Sequence, residues 1–286
     1  MKLGIFTQYV QGNSIEEVAE RIAGYGLQSV ILDRYPGMNI NLSDPSPADC
    51  ARIRNAFSQA GLEIAGVGAY LNLAHPDPDT RIAIYKQMSG MIKLCKEIGA
   101  PLLCTETGSY NPSEAWDPSN ETDLILQDLA RDMKPLLAEA RASGVAIAIE
   151  SYVMTATGST KRLARLIDMI GEDGLKVIFD PAGILSRATL RDQASFVRES
   201  FQAIAPHLGL VHVQDCTPAA DIKDHFNWLC AGTGQIDYPL FMDLLIGSGY
   251  DDHLILEFLR EDQIAQGIAF VEEQWDKAQK RKRGDR

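Results

Sequence analysis

Eight short apolar runs, each followed by a longer stretch with helical periodicity, constrain this chain more than any other feature. The runs occupy residues 3–7, 29–33, 64–69, 101–105, 145–150, 176–180, 210–214 and 254–258. Each is continuously apolar rather than alternating, as strands buried on both faces of a parallel sheet are. Stretches such as IEEVAERIAGYG, RIAIYKQMSGMIKLCKEIG and DLILQDLARDMKPLLAEARASG lie between them, with apolar residues at helical spacing. Gly26, Gly61, Gly99, Gly144, Gly174 and Gly249 sit where these helices end. Ser14 with Glu17, Ser46 before Pro47, and Asn120 before Glu121 read as helix starts. Eight strand-helix units without a dinucleotide fingerprint favour a closed α/β barrel, (β/α)₈, over an open doubly wound sheet.

A chain of 286 residues fits one such barrel, so 1–286 reads as a single domain. No linker or low-complexity segment divides it. A solvated, frayed basic tail is expected from about Lys277. A formal charge of −12 opposes nucleic-acid binding, which needs a clustered positive field, and points to a small-molecule ligand. Five cysteines without a CxxC pair suit a reducing compartment. No signal-length apolar opening and no run near about 18 apolar residues is present. The expected location is therefore cytoplasmic, with no membrane partner; assembly into a homo-oligomer stays open.

In a barrel of this kind, residues at the carboxyl ends of strands face the active site. The last four runs end with metal-capable groups: Glu150 in AIAIE, Asp180 in KVIFD, His212 in LVHVQD and Glu257 in LILEF. Three carboxylates brought together in an apolar setting repel one another and lose hydration. A divalent cation removes both penalties, and three oxygen donors with one nitrogen suit Mn²⁺ first, with Mg²⁺, Co²⁺ and Zn²⁺ as alternatives. Singly, each residue is equally compatible with a structural role, as an arginine-paired glutamate or a hydrogen-bonded core histidine.

The segments GAYLNLAHPDPDTR, GVAIAIE, LKVIFDPAGIL, GLVHVQD, AGTGQIDYPLF and LILEF resemble the sugar phosphate isomerase/epimerase superfamily with its xylose-isomerase-like TIM barrel. Its members include inosose isomerases and dehydratases, ketose 3-epimerases and hydroxypyruvate isomerases. The resemblance spans essentially the whole chain. It implies that Glu150, Asp180, His212 and Glu257 carry one metal ion and that Glu150 and Glu257 are the catalytic acid/base pair. The implied chemistry is proton removal beside a carbonyl of a small ketose or cyclitol, through an ene-diolate. A metal-dependent dehydratase of a keto-cyclitol or dehydroshikimate-like acid is the alternative, and a non-catalytic sugar-binding barrel is a third reading. The chain departs from the pattern at Gly183, where many relatives have histidine or asparagine, and at Gln214, where many have lysine.

Further candidates lie in the loops. His75, Glu106 and Gln214 are candidate substrate-binding residues. His75 reads equally as a turn residue before Pro76, and Glu106 as a cap or ion-pair partner. Gly232-Thr233-Gly234 reads as a turn, with phosphate binding as the alternative. Trp116, Phe226, Trp228 and Phe6 are candidates for an apolar pocket wall. His225 and His253 carry no pattern. No serine-nucleophile elbow or P-loop is present, and five histidines are too few for the multi-zinc chemistry of the distantly related endonuclease IV.

Overall fold

The computed structural model describes residues 1–35, 38–171, 175–219 and 226–284. Gly174 and His225 lie outside them. Eight parallel strands close into a barrel. In chain order they are β1 (Lys2–Phe6), β2 (Ser29–Leu32), β3 (Glu63–Gly68), β4 (Leu102–Glu106), β5 (Ala146–Glu150), β6 (Leu175–Phe179) and β7 (Leu208–Val213), with β10 (His253–Leu256) as the eighth. β10 pairs with both β1 and β7, which leaves no open edge. Each strand ends within two residues of its expected position.

The helices are α1 (Ile15–Gly24), α2 (Pro47–Gln59), α3 (Pro78–Ile98), α4 (Asp123–Ala142), α5 (Thr160–Ile170), the short α6 (Pro181–Ile184), α7 (Gln193–Ile204), α8 (Tyr238–Ser248) and α9 (Ile264–Arg283). α5 shows why such segments pack outside a barrel: Leu163, Leu166, Ile167 and Ile170 are buried, at helical spacing. Each such side chain contributes about 1.5–3 kcal/mol. The Ser14 and Ser46 hydroxyls accept the amides of Glu17 and Asp49, and Ser46 with Asp49 completes a capping box. Two local expectations fail. Asn120 caps no helix; it is buried, accepting from the Tyr110 amide and donating to Ser109 and the Met154 carbonyl. α5 closes at Gly171, whose φ of 63° needs no Cβ to be accommodated.

Two layers of core support the site. Phe6, Ile31, Ala65, Leu102, Cys104, Ala148, Ile178, Leu210 and Ile255 fill the barrel interior. A larger core joins the outer strand faces to the helices. The chain departs from the simple repeat after β7, where β8 (Asp215–Pro218) and β9 (Phe226–Leu229) form an antiparallel hairpin in place of the expected loop. The frayed tail expected from Lys277 is also absent. α9 stays helical through Arg283, because Arg281 grips Asp243 on α8 through paired nitrogens at 2.8–3.2 Å and Lys282 donates to the Ile246 carbonyl. Among the described residues, no helix is long and apolar enough to cross a membrane.

Candidate active site

The carboxyl ends of the strands surround a cavity of about 340 Å³, within the range of small-molecule sites. Glu150 ends β5, His212 lies in β7 and Glu257 follows β10, where its amide donates to the Val213 carbonyl at 3.3 Å. The parallel register therefore brings these three side chains to one level. Potential ligand atoms from all three lie within 4.8 Å of one another, and all three residues are buried.

His212 is fully buried. Its Nδ1 stands 3.2 Å from Oε2 of Glu150 and 3.0 Å from Oε2 of Glu257, but neither approach is aligned as a hydrogen bond. Both ring nitrogens of His212 and Oε2 of Glu257 lack hydrogen-bond partners. Buried polar atoms are normally satisfied, so unpartnered imidazole and carboxylate atoms this close together fit a cation. The oxygen and nitrogen donors match a hard or borderline divalent ion.

Asp180 lines the same cavity but stands outside this three-residue cluster. Its Oδ1 accepts the Ala182 amide at 2.8 Å, which starts α6, and its Oδ2 accepts from the Gln214 side chain. Gln214 is fixed in turn by the Tyr238 hydroxyl, which donates to its backbone carbonyl at 2.7 Å. Gln214 thus lies beside Asp180, and its own Oε1 has no partner.

The electrostatics follow from crowding. Burial and then the Glu150 and Glu257 carboxylates push both Glu106 and Asp180 well above the ordinary carboxylate range. Burial raises Glu257 as well, against the pull of His212. Burial alone lowers the His212 pKa, but Glu150 and Glu257 outweigh it and hold the imidazole well above its usual value. These shifts mark a negatively charged enclosure that gains from a positive charge.

Glu106 pairs with Glu150 across β4 and β5 and lines the cavity. His75 does not. Its Nδ1 accepts the Asp77 amide at 3.1 Å, in the turn that leads into α3. Phe6 and Trp228 line the cavity, and Phe226 stacks on Trp228 with centroids 5.9 Å apart. Trp116 is exposed and does not line it.

Residues 232–234 form a turn organised by Asp215. Its Oδ2 accepts the Gly232 amide at 3.1 Å and its Oδ1 the Ile236 amide at 3.0 Å.

Asp33, Tyr70, Glu114 and Tyr152 also line the cavity, although no sequence pattern singled them out. Asp33 had a readable signal, since it closes the second apolar run as Asp180 closes the sixth. Glu114 and Phe258 have left-handed backbones, with φ of 60° and 50°. Such strain in non-glycine residues clusters at functional sites.

Comparison with known proteins agrees with this architecture. The sequence family described as xylose isomerase-like TIM barrel matches residues 19–274. No curated protein matches the sequence. A D-tagatose 3-epimerase-like protein superposes with a TM-score of 0.78 at 18% identity, covering 98% of this chain and 99% of the other. The 3-keto-D-glucoside 4-epimerase of E. coli gives 0.75 at 15% identity, covering 96% and 99%. The IOLI protein, solved with a zinc atom, gives 0.74 at 16% identity, covering 98% and 99%. At these identities the likeness is one of fold.

Proposed function

Since the chain belongs to the xylose isomerase-like TIM barrel family, we propose that it is a divalent-metal-dependent isomerase or epimerase of a small ketose or cyclitol. The observation that carries this reading is the convergence of Glu150, His212 and Glu257, with buried lone pairs left unsatisfied. The epimerases among its structural neighbours support the same reaction class.

Glu150, His212 and Glu257 would hold the ion, with Asp180 as a fourth candidate ligand. When bound, a divalent ion supplies the positive charge that favours an ene-diolate over the parent ketone; Mn²⁺ is the first candidate, with Mg²⁺, Co²⁺ and Zn²⁺ next. Glu150 and Glu257 come from β5 and β10, with β6 and β7 between them in the barrel, so the two carboxylates approach a bound substrate from different directions. One takes the proton from the carbon beside the carbonyl, and the other returns it. Return to the opposite face of the same carbon inverts it. Glu106 and Gln214 bind substrate hydroxyls. His75 has no part in this proposal.

Elimination remains the alternative, because a carbanion formed beside the carbonyl can expel a neighbouring hydroxide instead of regaining its proton.

The test is metal analysis of the purified protein combined with a deuterium-exchange screen over keto sugars and keto-cyclitols. The expected result is solvent deuterium beside the carbonyl at unchanged product mass apart from the label. Loss of one water shows the lyase instead. Glu150→Gln is expected to slow exchange by about 10²–10⁴-fold. No exchange with any ketone in the metal-loaded protein rejects both.

A further inference from the structure

Asp180 has both side-chain oxygens engaged within the protein. Its Oδ1 accepts the Ala182 amide at 2.8 Å, and its Oδ2 accepts from Nε2 of Gln214. Both residues are buried and line the cavity. They follow the paired strands β6 and β7, so the bond joins two neighbouring strand ends. Gln214 is fixed from behind as well, since the Tyr238 hydroxyl on α8 donates to its backbone carbonyl at 2.7 Å.

Two donor atoms on one small divalent ion lie at most about 4–5 Å apart, twice a bond of about 2.0–2.5 Å. Atoms of Glu150, His212 and Glu257 meet that limit mutually, within 4.8 Å, and no oxygen of Asp180 joins them. To do so, Asp180 would have to give up the Gln214 amide or the Ala182 amide that begins α6. Charge gives it no reason to move. Glu150 and Glu257 already neutralise a divalent ion, and a third carboxylate on it would leave a net negative charge buried away from water.

A carboxylate that accepts at both oxygens dictates how the amide beside it is turned. The NH₂ end of Gln214 faces Asp180, and Oε1 faces away from it. That oxygen is buried and has no partner among the described residues, so it is an acceptor held in reserve in the cavity wall.

We propose that Asp180 is not a ligand of the ion but a positioning residue. It holds Gln214 turned so that Oε1 accepts a substrate hydroxyl, and it leaves the ion three protein ligands with the remaining positions open to substrate oxygens. This rests on the metal reading of Glu150, His212 and Glu257 and goes beyond it in the role given to Asp180.

The test is read on Mn²⁺ alone and on one amide group, so it is independent of turnover. The full chain is titrated with Mn²⁺ by calorimetry, and water-proton relaxation counts the waters left on the bound ion. Magnetic resonance of the metal-free protein with isotopically labelled glutamine follows the Gln214 side-chain amide, assigned by its loss in Gln214→Leu. Asp180→Asn, which keeps the shape of the side chain, is expected to change the Mn²⁺ dissociation constant by less than about threefold and to leave the water count unchanged. Glu257→Gln is expected to weaken Mn²⁺ by at least about a hundredfold. The same Asp180→Asn is expected to displace the Gln214 amide signal, because an NH₂ group then faces the glutamine and turns its amide over. A loss of affinity in Asp180→Asn as large as that in Glu257→Gln, or an added water on the ion, overturns the proposal and leaves the metal reading standing. An unmoved Gln214 signal does the same. Failure of the wild-type protein to bind Mn²⁺ overturns both.

Discussion

Nδ1 of His212 and Oε2 of Glu257 lie 3.0 Å apart without forming a hydrogen bond, and Oε2 of Glu150 approaches the same nitrogen at 3.2 Å. Two buried carboxylates held this close need a compensating positive charge, a proton or a metal ion, so metal binding is coupled to stability. At about a hundred times its dissociation constant, Mn²⁺ is expected to add about 2.7 kcal/mol to the unfolding free energy. His212→Gln and Glu257→Gln are each expected to remove most of that increment. Thermal melts in EDTA and in excess Mn²⁺ measure it; an increment unchanged in both variants places the ion elsewhere.

The same crowding sets a pH dependence for the metal-free protein. Glu106, Asp180 and Glu257 are raised by burial, with neighbouring carboxylates adding to it, and His212 is raised because Glu150 and Glu257 outweigh its burial. A raised pKa means that the folded state binds more protons than the unfolded chain. Stability is therefore full below the unfolded values and is lost as pH rises through the folded ones. In EDTA, urea unfolding is expected to show stability falling with pH, beginning above the ordinary carboxylate value of about 4. Mn²⁺ should flatten the slope, since it stabilises the ionised carboxylates. A slope of the opposite sign in EDTA rules this account out.

Much of this arrangement was legible in the sequence, and the reason is geometric. A carboxylate closing an apolar run at the end of a parallel strand has only one place to go, so Glu150, Asp180, His212 and Glu257 could be placed at the mouth from their runs alone. Asp33 follows the same rule, since it closes the second run as Asp180 closes the sixth. The walls were less legible. Trp228 reaches the cavity because β8 and β9 pair as a hairpin, a long-range event that FNWL does not specify by itself. Position in a loop is a poor guide: His75 has the chemistry of a ligand, but its Nδ1 accepts the Asp77 amide and it does not line the cavity. The tail erred in the opposite direction. Its lysines and arginines are exposed, as read, but the tail is not frayed, because Asp243 on a neighbouring helix holds Arg281.

Asp215 offers a test of how the hairpin that carries Trp228 and the turn after it are held. The residue is buried, and its carboxylate accepts the amides of Cys216, Gly232 and Ile236 at 2.9–3.1 Å. Gly234 packs against it so closely that an added Cβ would lie 2.3 Å from Oδ1. Asp215→Ala leaves several buried donors unpaired, each costing about 1–3 kcal/mol. A loss of at least about 2 kcal/mol in urea unfolding is expected. Because β8 begins at Asp215 and pairs with β9, Trp228 emission should shift as well, read in a Trp116→Phe, Trp275→Phe background and checked against Trp228→Phe. A neutral Asp215→Ala would mean that this carboxylate does not organise the turn.

The left-handed backbones at Glu114 and Phe258 separate strain from side-chain chemistry. A non-glycine residue at φ of 50–60° carries a cost of about 1–2 kcal/mol relative to glycine, which has no Cβ to crowd the carbonyl. Glu114 is exposed, and among the described residues no hydrogen bond of its carboxylate offsets that cost, so Glu114→Gly is expected to stabilise the fold by about 1 kcal/mol. Phe258 differs, because its ring packs on Trp228. The informative pair there is Phe258→Ala against Phe258→Gly: both lose the ring, and only the second relieves the backbone. Phe258→Gly is expected to be the more stable of the two by about 1 kcal/mol in urea unfolding. If Phe258→Gly were the less stable, the turn after Glu257 would be unstrained, and the left-handed geometry would follow from the pull of the ring toward Trp228 at no cost to the backbone.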